Sequence, residues 1–577
     1  MPNSATNGIA IQEIAEAVID DGSTQCEHKM LAGLGAQGRF QGNIDRDFWR
    51  CMKKRKVAQI LQPFFIDGMA LSAAAAPEEM KIPIPLPHGV VSFMWEGIGQ
   101  KIFETLFCGE GGIPDLCRFW QAAENSKWIG DHPHLELIRH SPHLVVPLKI
   151  WGDAAGCSKA EKLEVVTFAP VLSRLASLLS RFMVFALEGR YAHNRDNIWS
   201  VIKWSLDALA TGLHPRTGPG GEDLCDQRAA IAGTEIAGGF KFLLAYIVGD
   251  MEWVQHTYEF DTGYNKDHLC WTCLGTKSIS GGCCGYDFHW GAAWEATCVP
   301  HSDYWDRIGW ALPACSLPGW HLYAIRYDIM HVLLLGLAQW AFGCTMKKLL
   351  GDNYFEGPTG GPWQQRYGQQ LKKAYGLFIH WCRERKIIHS QRAFTLGRLS
   401  LNKLAGLAYF KAKAKNTLVS LQWICALAAT IASDHPSDEN SMRASCLWGF
   451  VYAIDALRGA DVFLTDAECA EIERARESSL HCHTWLVHNC VSWFPNKPKC
   501  HAWDKLLRIC QAERVNPLHW WCFADEDFIG KVLRIGRGLH PRTRPTGIMQ
   551  RYLVLLHGVA ADPATSIYFG KDARKPH

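Results

Sequence analysis

The chain has 577 residues, 48% of them hydrophobic and 20% charged, with 24 tryptophans, a composition that excludes an intrinsically disordered protein. That length exceeds one ordinary hydrophobic core, so two or three domains, or one domain with a large insertion, are expected. The formal net charge of +3 excludes a global electrostatic footprint for nucleic acid, so any DNA surface has to be made of local basic patches.

The opening stretch carries acidic residues early and has no apolar run after a basic one, which predicts a nuclear or cytoplasmic protein rather than a secreted one. The longest apolar stretches, 332–344 and 421–432, fall short of the roughly 20 residues a membrane helix needs and read as buried helices, with no membrane partner. Residues 1–140 read as an α-rich N-terminal region, bounded by the proline-rich IPIPLPHG. Their basic cluster, Lys53, Lys54, Arg55 and Lys56, has two readings: a nuclear import signal or a solvated helix face.

From His143 the pattern changes. LVVPLKIWGDAAG, LEVVTFAPVL and SRFMVFALEG are apolar, β-branched or aromatic runs separated by Gly, Pro and Ser, and predict three successive strands. A helix over 197–211 follows, and then the apolar run FKFLLAYIVGD, which reads as a buried strand or as a helix running into one. Each of two such runs ends in Gly-Asp, at Asp153 and Asp250. A Gly-Asp after an apolar run is more often a turn than a site, but two strand-end acids suit a two-metal phosphodiester centre, which needs carboxylates converging on a pair of Mg²⁺ ions. The small residues after Asp153 leave room for a substrate backbone. From 346 to 490 the text is helical, and 491–577 returns to mixed patterns. The 22 cysteines read as reduced, buried, small hydrophobes, and only Cys270 and Cys273 have metal-type spacing; Cys283, Cys284, Cys298 and His301 read as core and loop.

The order of these features carries a resemblance. An Asp after the first strand, an Asp before Cys270-Trp-Thr-Cys273, then Tyr327-Asp328-Ile-Met-His331 before an apolar helix, and a late acid in WWCFADEDFIGKVLRIGR resemble the cut-and-paste transposases of the CACTA, Mirage and Chapaev group. The resemblance covers roughly 143–537. It implies an α/β fold with an RNase H-like mixed sheet and a large helical insertion: core 141–345 including the CxxC segment, insertion 346–490, and the rest of the core in 491–577. It further implies a catalytic set of Asp153, Asp250 and Glu526, with Asp328 and His331 organising it. Glu513 is a fallback for the third acid, and Asp525 and Asp527 also read as charges favoured at a helix N-terminus.

In such relatives the CxxC joins two late histidines around a structural Zn²⁺. Here His501 fits the first, while Lys505 or Leu506 stands at the second, so the fourth ligand is Cys500, Asp504, Cys510, water or nothing; His483 and His488 are another spaced pair. Lys531, Arg534 and Arg537, with Arg542 and Arg544 beyond, are candidate phosphate contacts or plain surface charges. The expected function is DNA cleavage and strand transfer by a transposase-derived enzyme using two Mg²⁺, with DNA as partner and a homo-oligomer left open. Two other readings are a domesticated, inactive DNA-binding or interaction scaffold and an α-rich zinc-binding structural protein.

Overall fold

The computed structural model describes residues 61–561, apart from 62, 73–74, 158–160 and 279–282, together with scattered positions between 29 and 47. The basic cluster at 53–56 lies outside the described residues.

Beyond a four-residue helical segment at Leu34–Gln37, the first described elements are an antiparallel hairpin, β1 (Phe64–Ser72) and β2 (Ala75–Ile84), in a region expected to be α-rich. Pro83 is tolerated because the hairpin is a two-stranded sheet, in which each strand is an edge. Helices α1 (Pro87–Ile98), α2 (Gln100–Cys108), α3 (Ile113–Ala123) and α4 (Leu135–His140) follow. Strands β3 (Val145–Gly156), β4 (Lys162–Pro170) and β5 (Phe182–Glu188) then run as antiparallel neighbours. After α5 (Arg195–Thr211), β6 (Lys241–Gly249) pairs parallel to β3; α6 (Met251–Thr257) and α7 (His301–Arg307) follow, and the two-residue β7 (Ile325–Arg326) pairs parallel to β6. The result is a mixed five-stranded sheet in the order β5-β4-β3-β6-β7.

The central strand β3 is buried from Val145 through Trp151, which is why its run is apolar on both faces. Its side chains alternate. On one face lies an aromatic layer in which Phe107 of α2 meets Phe182 and Phe242 at ring separations of 5.9 and 5.5 Å. Lys149, Trp151 and Asp153 share the other face, where the C-terminal part of the chain returns: Trp151 Nε1 donates to Cys522 Sγ at 3.0 Å.

The helical region starts at a π-helical segment, Met330–Leu337, that continues into α8 (Ala338–Gly351). Then come α9 (Trp363–Glu384), α10 (Ala414–Asp434), α11 (Asp438–Gly459), α12 (Asp466–Asn489) and α13 (Pro498–Glu513). Ser437 caps α11, and Thr465 with Glu468 forms a capping box on α12. By length and hydropathy α10 is the one helix among the described residues that suits a membrane, yet 61% of its apolar window is buried inside the fold, as in a core helix of a bundle. The last described helices are α14 (Phe523–Arg537) and α15 (Arg544–Ala561). Tyr552 Oη accepts from the Met183 N–H of β5 at 3.1 Å, which seats the last helix on the sheet.

Candidate metal and phosphodiester site

Because Gly152 of β3 and Gly249 of β6 are parallel partners, Asp153, still paired with Val165 of β4, and Asp250, the first residue beyond β6, stand side by side. Asp250 caps α6 (Met251–Thr257), accepting the Trp253 N–H at 2.6 Å. The Trp253 indole then lies across both strand ends, its Nε1 donating to Glu164 at 3.1 Å. A Cβ on Gly152 would stand 2.1 Å from that indole, and one on Gly249 2.6 Å from it. Thus both glycines of the repeated Gly-Asp are required by the packing of Trp253. Gly152→Ala is expected to displace Trp253 and unseat both aspartates, at a cost of about 1–3 kcal/mol. Denaturant unfolding and metal titration of that variant should show both losses; unchanged values would mean Trp253 moves aside freely.

The third acid arrives from the far end of the chain. Asp525, fully buried, accepts from Lys149 Nζ of β3 at 2.9 Å and from Arg181 Nε at 3.0 Å, pinning the first turn of α14 to the sheet. Asp328, also buried, accepts the Cys522 N–H at 2.9 Å on one oxygen; on the other it accepts the His331 N–H at 2.9 Å and pairs with His331 Nδ1 at 2.7 Å. Asp328, His331 and Cys522 are close enough to be metal donors. Their atoms are nevertheless already engaged with one another and with Trp151, so they read as a hydrogen-bonded knot. The two anchors leave Glu526, the next residue after Asp525, facing Asp153.

One donor atom each from Asp153, His331 and Glu526 lies within 4.8 Å of the others, and His331 Nε2 is 3.4 Å from Glu526 Oε1. Asp250 is not in that tight group but acts on it electrostatically. Burial, then the charges of Asp250 and Glu526, push the Asp153 carboxyl up to about 7. Burial likewise raises Asp250. At His331 burial opposes the imidazolium, but hydrogen bonds with Asp328 and Glu526 outweigh it and raise the ring to about 10. An Asp153 carboxyl raised to about 7 among crowding acids marks a centre short of positive charge. Its hard oxygen donors fit Mg²⁺ or Mn²⁺ better than softer metals.

The other acids are committed elsewhere. Glu513 forks onto Arg326 at 2.7 and 2.8 Å, and Asp527 pairs with Lys531 at 2.6 Å. Lys531 also donates to Ser177 at 2.7 Å, so it is less available to phosphate than its sequence position suggests. Arg534 and Arg537 are exposed on α14, with Arg537 donating to the Gly156 carbonyl at 3.1 Å. Arg544 is buried against Glu188 and Glu161, and Arg542 lies 3.5 Å from Glu78.

A second donor group joins segments more than two hundred residues apart. Cys270, Cys273 and His501 are buried and present donor atoms within 4.8 Å of one another, with Cys273 Sγ 3.3 Å from His501 Nε2. His501 Nδ1 pairs with the Gly285 carbonyl at 2.7 Å, leaving Nε2 toward the thiols. Burial opposes a thiolate at Cys270, but hydrogen bonds with Cys273 and His501 and the nearby Lys505 ammonium hold that thiol well below its ordinary value. Two thiols and an imidazole fit Zn²⁺ in donor type. The fourth place has no protein candidate among those expected: Cys500 contacts His483 at 3.5 Å, Asp504 is held by Arg476 and Arg508, and Cys510 bonds the Leu507 carbonyl. His483 is tied to Asn496 and Trp493, and His488 is exposed. Cys298 sits 2.7 Å from Lys127, and His301 stacks on His321, outside this group. Metal analysis of purified protein is expected to find zinc that is lost in Cys270→Ser; no zinc in either form would mean that the three donors are a hydrogen-bonded cluster only.

Sequence reasoning missed Lys149, Arg181, Trp253 and Lys499. A lysine inside the apolar run VPLKIWG is a signal in itself, since a buried ammonium requires a buried acid. Compared with known proteins, the chain matches no family model and no curated protein.

Proposed function

We propose that the chain is a divalent-metal-dependent DNA phosphodiester enzyme with an RNase H-like core and a transposase type of active site, formed by Asp153, Asp250 and Glu526. The observation that carries this reading is the convergence of Asp153 of β3 with Glu526, 373 positions later, beside Asp250 and His331. The sheet order, with three antiparallel strands and a fourth parallel to the first, supports the same reading.

In the proposed reaction the oxygen of water, or of a terminal 3′-hydroxyl, attacks phosphorus. The bond from phosphorus to the leaving 3′ oxygen breaks, and that oxygen takes up a proton. Divalent metal held by the three carboxylates would supply Lewis-acid activation of the attacking oxygen and charge stabilisation of the leaving one. His331, paired with Asp328, orients Glu526 and offsets part of the acidic charge. The test is nicking of supercoiled DNA by the purified chain with Mg²⁺ or Mn²⁺, against a chelator control. Binding of DNA without cutting at any metal concentration would favour the inactive, domesticated scaffold.

A further inference from the structure

Beside the carboxylate cluster, on the helical side, two cavities adjoin. The larger, about 730 Å³, is lined by Arg392, Arg398, Lys411 and Lys413, and no acidic residue lines it. Arg392, Lys411 and Lys413 are exposed, and among the described residues no ion pair engages any of the four. Gln391, 4% exposed, keeps Oε1 without a hydrogen-bond partner in its wall, and Ser400 of the neighbouring cavity keeps Oγ likewise. The smaller cavity, about 430 Å³, shares Leu335 and Tyr409 with the larger and adds Tyr264, Trp340, Lys497 and Lys499. Its aromatic wall is preformed: Trp340 and Tyr409 meet at a tilt of 58° with ring centroids 4.8 Å apart, and Lys497 lies 4.9 Å above the Trp340 ring.

The smaller cavity reaches the acids. Lys499 donates to the Leu335 carbonyl at 3.0 Å, and its ammonium feels the charges of Asp250 and Asp328. Gly336 is what admits the lysine stem, since a Cβ there would stand 2.5 Å from Lys499 Cδ. Tyr264, 51% exposed, is within electrostatic reach of Asp250 as well.

Resting on the functional reading above, we infer that these two cavities form one groove for the DNA strand carrying the reacting phosphodiester: Arg392, Arg398, Lys411 and Lys413 take its phosphates, and the exposed ring of Tyr264 stacks an unpaired base next to the acids. Four cations unmatched by acid call for a polyanion, and a basic track with an exposed aromatic ring at its acidic end suits a nucleic acid strand better than an acidic peptide, whose carboxylates present no ring to stack. The chain's low net charge is thereby consistent with DNA as partner, because the positive charge is concentrated along one groove.

The test is fluorescence anisotropy of the full chain with a labelled single strand and the matching duplex over a salt series, without divalent metal. A fourfold variant, Arg392→Ala, Arg398→Ala, Lys411→Ala and Lys413→Ala, is expected to reduce the slope of log affinity against log salt by about 3 and to weaken binding at least about tenfold. A Lys101→Ala, Lys372→Ala control, equally exposed but outside the groove, should shift neither as much. Tyr264→Ala should cost on the order of tenfold for the single strand and little for the duplex. Wild-type binding with an unchanged slope in the fourfold variant would overturn the groove and leave the enzyme reading standing. Wild type that binds no DNA at any salt, or prefers polyglutamate to DNA, would overturn both.

Discussion

Changing Asp153 or Asp250 to Asn, or Glu526 to Gln, is expected to lower metal-dependent DNA nicking by about a thousandfold or more in each case. Each acid holds part of one metal set, several kcal/mol of charge stabilisation are at stake, and each 1.36 kcal/mol is about tenfold in rate. An amide keeps the shape of the carboxyl group and loses its charge. DNA affinity measured without metal should hold or rise, because an acid is removed from beside phosphate. Asp153→Asn should also reveal the electrostatic load of the site. With its carboxyl raised to about 7 from an ordinary 3.8, the folded state binds more protons than the unfolded between those values, so metal-free stability falls as pH rises through that window. At pH 8 the Asn variant should therefore be more stable than wild type by on the order of 2 kcal/mol without metal. The ordering should reverse when metal is added. Activity should drop as pH falls below 7, where protons compete with metal at Asp153. A Glu526→Gln chain that nicks normally would exclude Glu526 as the third acid.

The parts of this site visible in the sequence were those written as strand ends. Asp153 and Asp250 each close a mainly apolar run, and because the two runs pair as parallel strands with Gly152 opposite Gly249, the two acids come out adjacent. Glu526 was harder, because three successive acids start α14 and helix dipole logic favours any of them there. Only the tertiary partners separate them: Asp525 turns inward to Lys149 and Arg181, Asp527 turns to Lys531 and Ser177, and Glu526 is left toward Asp153. The hairpin at 64–84 was not legible, since its methionine, proline and glutamate content lacks strand alternation and its partners are elsewhere, in α15 and the segment around Asn194. The groove was illegible for a different reason. Its cations sit on an irregular stretch between α9 and α10, and its aromatics come from three separate segments, which no local pattern brings together.

Removing Asp525 is expected to cost more stability than any other single polar substitution in the core. Its carboxylate is the shared acceptor of two cations that have almost no contact with water: Lys149 is fully buried in the central strand, and Arg181 is 4% exposed at the entry to β5. Burial alone would disfavour the Lys149 ammonium, and Asp525 is the largest influence opposing that cost. Asp525→Ala strands both charges, a situation worth about 3–5 kcal/mol, and it frees the first turn of α14 from β3. Denaturant unfolding should show the loss as a lower midpoint at unchanged slope, or the variant should fail to accumulate as soluble protein. A triple variant, Asp525→Leu, Lys149→Met and Arg181→Met, separates the two consequences, because replacing a whole buried ion cluster by apolar side chains is often neutral or stabilising. That chain should recover most of the lost stability. Its nicking activity should stay low, since an apolar contact does not fix the rotation of α14 as two directed ion pairs do, and Glu526 must face Asp153 within metal-bridging reach. Full recovery of both stability and activity would show that packing alone orients Glu526, and an Asp525→Ala chain within about 1 kcal/mol of wild type would show that water reaches Lys149.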